Sequence, residues 1–138
     1  MALTSRLFAA IDAASAPLTV HAHCDLPCGV YDPAQARIEA ESVKACMEKT
    51  NASDDHLFRE RATMIKEELA EMVKHHLWVL WTDYFKPEHL VRFPDLHEVF
   101  WKTTKAAGEA KKTNDVAVAD SLLEGIAKID SIFWESKK

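Results

Sequence analysis

Between positions 58 and 79, Phe58, Ala62, Ile65, Leu69, Met72, His76 and Val79 recur at spacings of three and four. That period places residues on one face of an α-helix; a strand face repeats every two. Comparable recurrences occupy three more segments. Ile38, Val43, Cys46 and Met47 fall in one from about Pro33 to Lys49. Leu96, Val99, Phe100 and Thr103 follow Pro94, and Ala119, Leu122, Ile126, Ile129 and Phe133 follow Asn114. With only three glycines and five prolines in 138 residues, a turn-rich β fold is disfavoured. The connections are short apart from Phe85–Phe93, so sequential helices should run antiparallel. The expectation is an all-α chain: an antiparallel four-helix bundle, preceded by an irregular N-terminal hook.

Local signals set the expected starts. Asp32-Pro33-Ala34-Gln35 reads as N-cap, first helical residue and a glutamine able to reach back to the cap. The second helix is expected from Ser53, as its cap, which also makes Asn51-Ala52-Ser53 a helix-linking turn rather than a glycosylation site. Leu77–Phe85 is apolar nearly all round and cannot turn every side chain to one small core. Either the Phe85–Phe93 connection covers it or, the preferred reading, it contacts another subunit, which points to a homo-oligomer.

The formal net charge is −5 and no basic stripe stands out, so nucleic acid is not an expected partner. No run of 18 apolar residues suggests a membrane-spanning helix. Residues 1–22 carry only Arg6 and Asp12 as charges and end Val20-His21-Ala22, a small-x-small pattern suited to cleavage. Asp12 interrupts the apolar run and Ser15 and Pro17 follow. The preferred reading is therefore a propeptide removed in the cytoplasm, rather than a secretory signal. On this division residues 1–22 are a propeptide, and 23–138 comprise the hook (23–31) and the bundle.

Two of the three cysteines lie in His23-Cys24-Asp25-Leu26-Pro27-Cys28. An odd cysteine count, with two clustered, suggests a metal or redox site rather than a disulfide scaffold. Once residue 23 is the N-terminus, its α-amine and imidazole become available. Cys24 offers a backbone amide nitrogen and a thiolate, and Cys28 a second thiolate. Two nitrogens and two sulfurs near one plane suit Ni(II) or Cu(II) better than tetrahedral zinc. Thiolates tend to reduce Cu(II), which favours nickel. Anionic donors also bring a higher oxidation state within reach. In the uncleaved chain the α-amine is a peptide nitrogen, so residues 1–22 should hold the protein inactive.

The unbroken stretch His23-Cys24-Asp25-Leu26-Pro27-Cys28-Gly29-Val30-Tyr31-Asp32-Pro33 resembles the nickel-hook signature of nickel-containing superoxide dismutases. Lys74-His75-His76, Asp83-Tyr84-Phe85-Lys86-Pro87 and Ile132-Phe133-Trp134-Glu135 extend the resemblance over residues 23–138. It implies a nickel ion cycling between Ni(III) and Ni(II), with superoxide converted to dioxygen and hydrogen peroxide. It implies His23, Cys24 and Cys28 as ligands, with the His23 imidazole axial on the oxidised metal. Tyr31 and Tyr84 would line the pocket over the open metal face. Pro27 would shape the hook, and Asp25 and Lys86 would fix it and supply local charge. Glu39 would orient the imidazole; the family pairs that glutamate with an arginine where Leu69 stands here. A homo-hexamer, a maturation protease and a cytoplasmic location complete the expectation.

A non-catalytic nickel or copper carrier or sensor is the alternative, since it could chelate through the same hook. A metal-free dithiol redox protein using Cys24 and Cys28 is a third. Cys46 and His76 lie on expected core stripes and read as packing residues, and adjacent His75 and His76 point to different helix sides.

Overall fold

The computed structural model describes residues 29–138, which leaves the expected metal ligands His23, Cys24 and Cys28, and with them Asp25 and Pro27, outside the described residues. Five α-helices follow in order: α1 (Ala34–Ala52), α2 (His56–Val79), α3 (Pro87–Arg92), α4 (Leu96–Ala110) and α5 (Val116–Ser136). The four long helices form the expected antiparallel bundle. Helix α1 packs against α2 and α5, and α4 against α5 and α2, which closes a square around the core. The expected loop at Phe85–Phe93 instead contains the short helix α3, started by a proline at its first position. No helix among the described residues is long and apolar enough to cross a membrane.

The starts follow short polar side chains. Asp32 Oδ1 accepts the Ala34 amide at 2.8 Å, so Asp32 serves the end of α1 as expected, while the helix itself begins one residue after Pro33. Gln35 is exposed. Asp55, not Ser53, caps α2: its carboxylate accepts from the Phe58 amide at 3.2 Å, and Ser53 Oγ accepts from Asp55 inside the turn. Asp115 caps α5 through the Ala117 amide at 3.0 Å. In each case a side-chain oxygen satisfies an amide that has no partner within the helix.

The core takes Leu96, Phe100 and Thr103 from α4, and Ala119, Leu122, Ile126, Ile129 and Phe133 from α5, as the period predicts. Helix α2 departs from expectation. Its buried line is Ala62, Lys66, Ala70, Val73 and Leu77. Phe58, Ile65 and Met72 are exposed, Ile65 by 46% and Met72 by 44%. Apart from Ala62, each buried position stands one residue after its expected counterpart, a rotation of about 100° about the helix axis. On α1, Ile38 likewise lies out, 51% exposed, while Ala36, Ala40, Val43 and Met47 are buried. The faces that meet between α1 and α2 are rich in alanine, which lets the two backbones approach closely. The larger side chains remain outside.

Lys66 is 2% exposed within this line. Its ammonium donates to the Thr113 carbonyl at 2.6 Å and to Asn114 Oδ1 at 3.1 Å, and Asn51 Nδ2 donates to the Asn114 carbonyl at 2.9 Å. These bonds knit the loop before α5 to α1 and α2 at the end of the bundle remote from residue 31. Burial pushes the Lys66 ammonium below the ordinary lysine range.

Candidate functional site

The chain leaves residues 1–28 through Gly29, whose φ of +69° is left-handed and suits a residue without a Cβ. Two residues later Tyr31 lies half-buried against the core. This is the bundle end at which α1 begins, α2 and α5 finish, and α3 crosses. Residues 23–28, the part of the expected hook (23–31) outside the described residues, are covalently joined to this pole through Gly29 and Val30.

A local departure from α-helical geometry delivers the second tyrosine. After Val79 the turns widen to a π-helix over Leu80–Tyr84, closed by the Phe85 amide donating to the Leu80 carbonyl at 3.0 Å. The extra residue per turn resolves the uniformly apolar Leu77–Phe85. Leu77, Leu80 and Phe85 are buried, and Trp81 packs on Phe100 at 5.3 Å between centroids. Trp78 remains 43% exposed. Tyr84 then stands beside Tyr31 with ring centroids 5.7 Å apart. Two expected pocket residues, 53 positions apart in the chain, are thus brought together.

Tyr84 is held on several sides. Its ring stacks on His89 at 5.6 Å with 9° between planes, and contacts Phe133 at 4.6 Å. Its hydroxyl is 2.7 Å from Ser136 Oγ. The His89 ring is itself oriented by the Lys86 amide, which donates to Nδ1 at 2.9 Å. The Lys137 ammonium lies over the rings of Phe133 at 4.4 Å, Trp134 at 5.1 Å and Tyr84 at 5.8 Å. Arg92 joins Glu135 at 2.8 Å and so ties α3 to the end of α5. Lys138 and Arg92 beside Glu135 hold its carboxyl below the usual carboxylate range.

The other expected site residues are placed less directly. Lys86 is exposed at the start of α3. Glu39 is half-buried on α1, and Leu69 is half-buried on α2 and packs against the core, with no charge to offer Glu39. Cys46 is half-buried, and burial pushes its thiol up, while Lys49 and Lys66 draw it the other way. His76 is half-buried and His75 exposed, with ring centroids 5.9 Å apart. Among the described residues no group of three or more His, Cys, Asp or Glu side chains could hold a metal ion. Sequence reasoning missed His89, Ser136 and Lys137. Helical phase puts Ser136 on the Phe133 side of α5, but nothing local signals that Tyr84 arrives there.

The comparisons with known proteins agree with this arrangement. A family model described as nickel-containing superoxide dismutase matches residues 18–137. A superoxide dismutase [Ni] of Streptomyces coelicolor is 57% identical over 136 residues, covering 99% of both chains. A native nickel superoxide dismutase structure is similar with a TM-score of 0.82 and 59% identity, over 84% of this chain and 100% of that one. A variant nickel superoxide dismutase, in which the histidine at the first position is replaced by alanine, matches with a TM-score of 0.78 and 57% identity, over 79% of this chain and 100% of that one. These relatives favour the enzymatic reading over the carrier or sensor. By its family-model match over residues 18–137 and its 57% identity across 99% of a relative, the chain belongs to the nickel-containing superoxide dismutases.

Proposed function

We propose that this chain converts two superoxide anions and two protons to dioxygen and hydrogen peroxide, using nickel held by His23, Cys24 and Cys28. The observation that carries the reading is the approach of Tyr31, three residues beyond Cys28, to Tyr84. Three residues of backbone span at most about 11 Å, so chain length alone keeps the Cys28 thiolate near the two phenols. The donor set fits the metal: amine, amide and two thiolates suit a square-planar d⁸ ion. When bound, nickel supplies one-electron redox cycling between Ni(II) and Ni(III).

The protein's own residues do the rest. Tyr31 and Tyr84 wall the pocket and order water for proton delivery. Asp25 and Pro27 shape the hook. Lys86 and Lys137 offer positive charge near the pocket of a protein whose net charge is −5, so attraction of the anion is local. Glu39 orients the His23 imidazole, and with leucine at position 69 it does so without the arginine of the family pattern.

Cleavage before His23 by a maturation protease completes the ligand set. The solved relatives support this: 84% of this chain covers the whole of a native one, leaving over a piece the size of residues 1–22, and the variant with alanine in place of the first-position histidine implies a histidine at position 1 of its parent chain. The exposed apolar residues Ile38, Ile65, Met72 and Trp78 support association with further copies, a homo-hexamer by family likeness. Free thiolates in the hook fit a cytoplasmic location.

The test compares protein starting at His23 with the uncleaved chain after identical nickel loading. Superoxide dismutation confined to the cleaved form is expected. Equal activity from the uncleaved chain would remove the α-amine from the mechanism, and tight nickel binding without activity would restore the carrier.

A further inference from the structure

The hydrogen bond between Tyr84 and Ser136 has a definite direction. The two oxygens lie 2.7 Å apart, and in isolation either could donate. Ser136 Oγ also lies 2.7 Å from the Phe133 carbonyl oxygen. A carbonyl only accepts, and serine has a single hydroxyl proton, so that proton belongs to the bond with Phe133. The proton between Tyr84 and Ser136 must then come from the phenol.

We infer that Ser136 is a positioning residue that holds the Tyr84 phenolic proton away from the pocket, so that the phenol meets the site only as a hydrogen-bond acceptor. The inference rests on the reading of Tyr84 as a pocket residue. The ring cannot easily swing to escape this bond, because His89 stacks on it and Phe133 packs beside it. A small anion nearing the phenolic oxygen meets lone pairs and is repelled. Water can still bind there, donating one O–H to Tyr84 and keeping the other for the anion. Tyr84 thus orders the water that carries protons, and disfavours direct anchoring of anions on the phenol.

The chain has two tyrosines, so Tyr31→Phe leaves Tyr84 as the only reporter. In nickel-loaded protein starting at His23 and carrying Tyr31→Phe, the tyrosine Fermi doublet in ultraviolet resonance Raman spectra should be that of a phenol donor. Adding Ser136→Ala should shift it away from the donor ratio, and Ser136→Thr should restore it. With both tyrosines present, Ser136→Ala frees the phenolic proton, so azide should inhibit about tenfold more tightly, the gain of one hydrogen bond to a charged group. Ser136→Thr should keep the original azide sensitivity. An acceptor doublet in the Tyr31→Phe protein, or one unmoved by Ser136→Ala, overturns the inference. Undiminished activity in Tyr84→Phe overturns the underlying placement of Tyr84 instead, whatever the doublet shows.

Discussion

Helices α2 and α5 are similar in length, 24 and 21 residues, yet they use their apolar residues differently. On α5 the apolar residues at spacings of three and four are the ones that enter the core. On α2 two stripes lie side by side. The one of larger residues, Phe58, Ile65 and Met72, faces out, and the one carrying Ala62, Ala70, Val73 and Leu77 faces in, with Lys66 among them. Hydrophobic period establishes that a helix has a face to bury. It does not say which of two adjacent stripes this core accepts and which is left for another partner.

The largest effect is expected on α5. Ile126 is 1% exposed, and Ile126→Ala should cost about 2–5 kcal/mol of unfolding free energy by denaturant titration, through lost transfer energy and the cavity left behind. The corresponding test on α2 is Lys66→Ala. It removes a buried aliphatic stem and two hydrogen bonds to the loop before α5, and should cost about 2 kcal/mol at neutral pH. Because burial lowers the Lys66 pKa, the unfolded chain holds this proton more firmly than the folded one. Stability from this group should therefore rise with pH from the lowered folded pKa up to the ordinary lysine value of 10.5, and fall again as pH drops through the folded pKa. Lys66→Ala should flatten that part of the stability profile.

A smaller effect of opposite sign is expected on α1. Thr50 Oγ1 is buried without a hydrogen-bond partner among the described residues. Thr50→Val keeps the shape, removes the unsatisfied hydroxyl and should stabilise by about 1 kcal/mol in thermal unfolding. The smallest effect on the fold should come from the outer stripe of α2. Ile65→Ser with Met72→Ser should change the stability of a separate subunit by only about 0.5 kcal/mol per site. Sedimentation should nevertheless show loss of association if this stripe joins copies of the chain. A double variant that unfolds like Ile126→Ala, with association intact, would show that the outer stripe serves the core after all.

The site divides in the same way. The proposed metal chemistry was legible because its expected ligands are neighbours in the chain: His23, Cys24 and Cys28 can be read as a donor set without knowing any fold. Tyr31, Tyr84, Lys86 and Glu39 are expected only through family likeness, since each looks like an ordinary helix or loop residue. Ser136, His89 and Lys137 were not legible, because their importance comes only from where the π-helical turn at Leu80–Tyr84 sets the Tyr84 ring.

The amino-acid sequence by itself determined the all-α class, the number of long helices and the inward face of α5, and it supplies the proposed nitrogen and sulfur donors of residues 23–28. All of these depend on residues close together in the chain, through helical periodicity, capping and chelate spacing. Tertiary structure alone decided the rotation of α2, the burial of Lys66 against the loop before α5, and the meeting of Tyr31, Tyr84 and Ser136 at one pole. Those outcomes turn on how closely two helices can approach and on where one widened turn sends the chain, and neither quantity is written in the spacing of residues along a single helix.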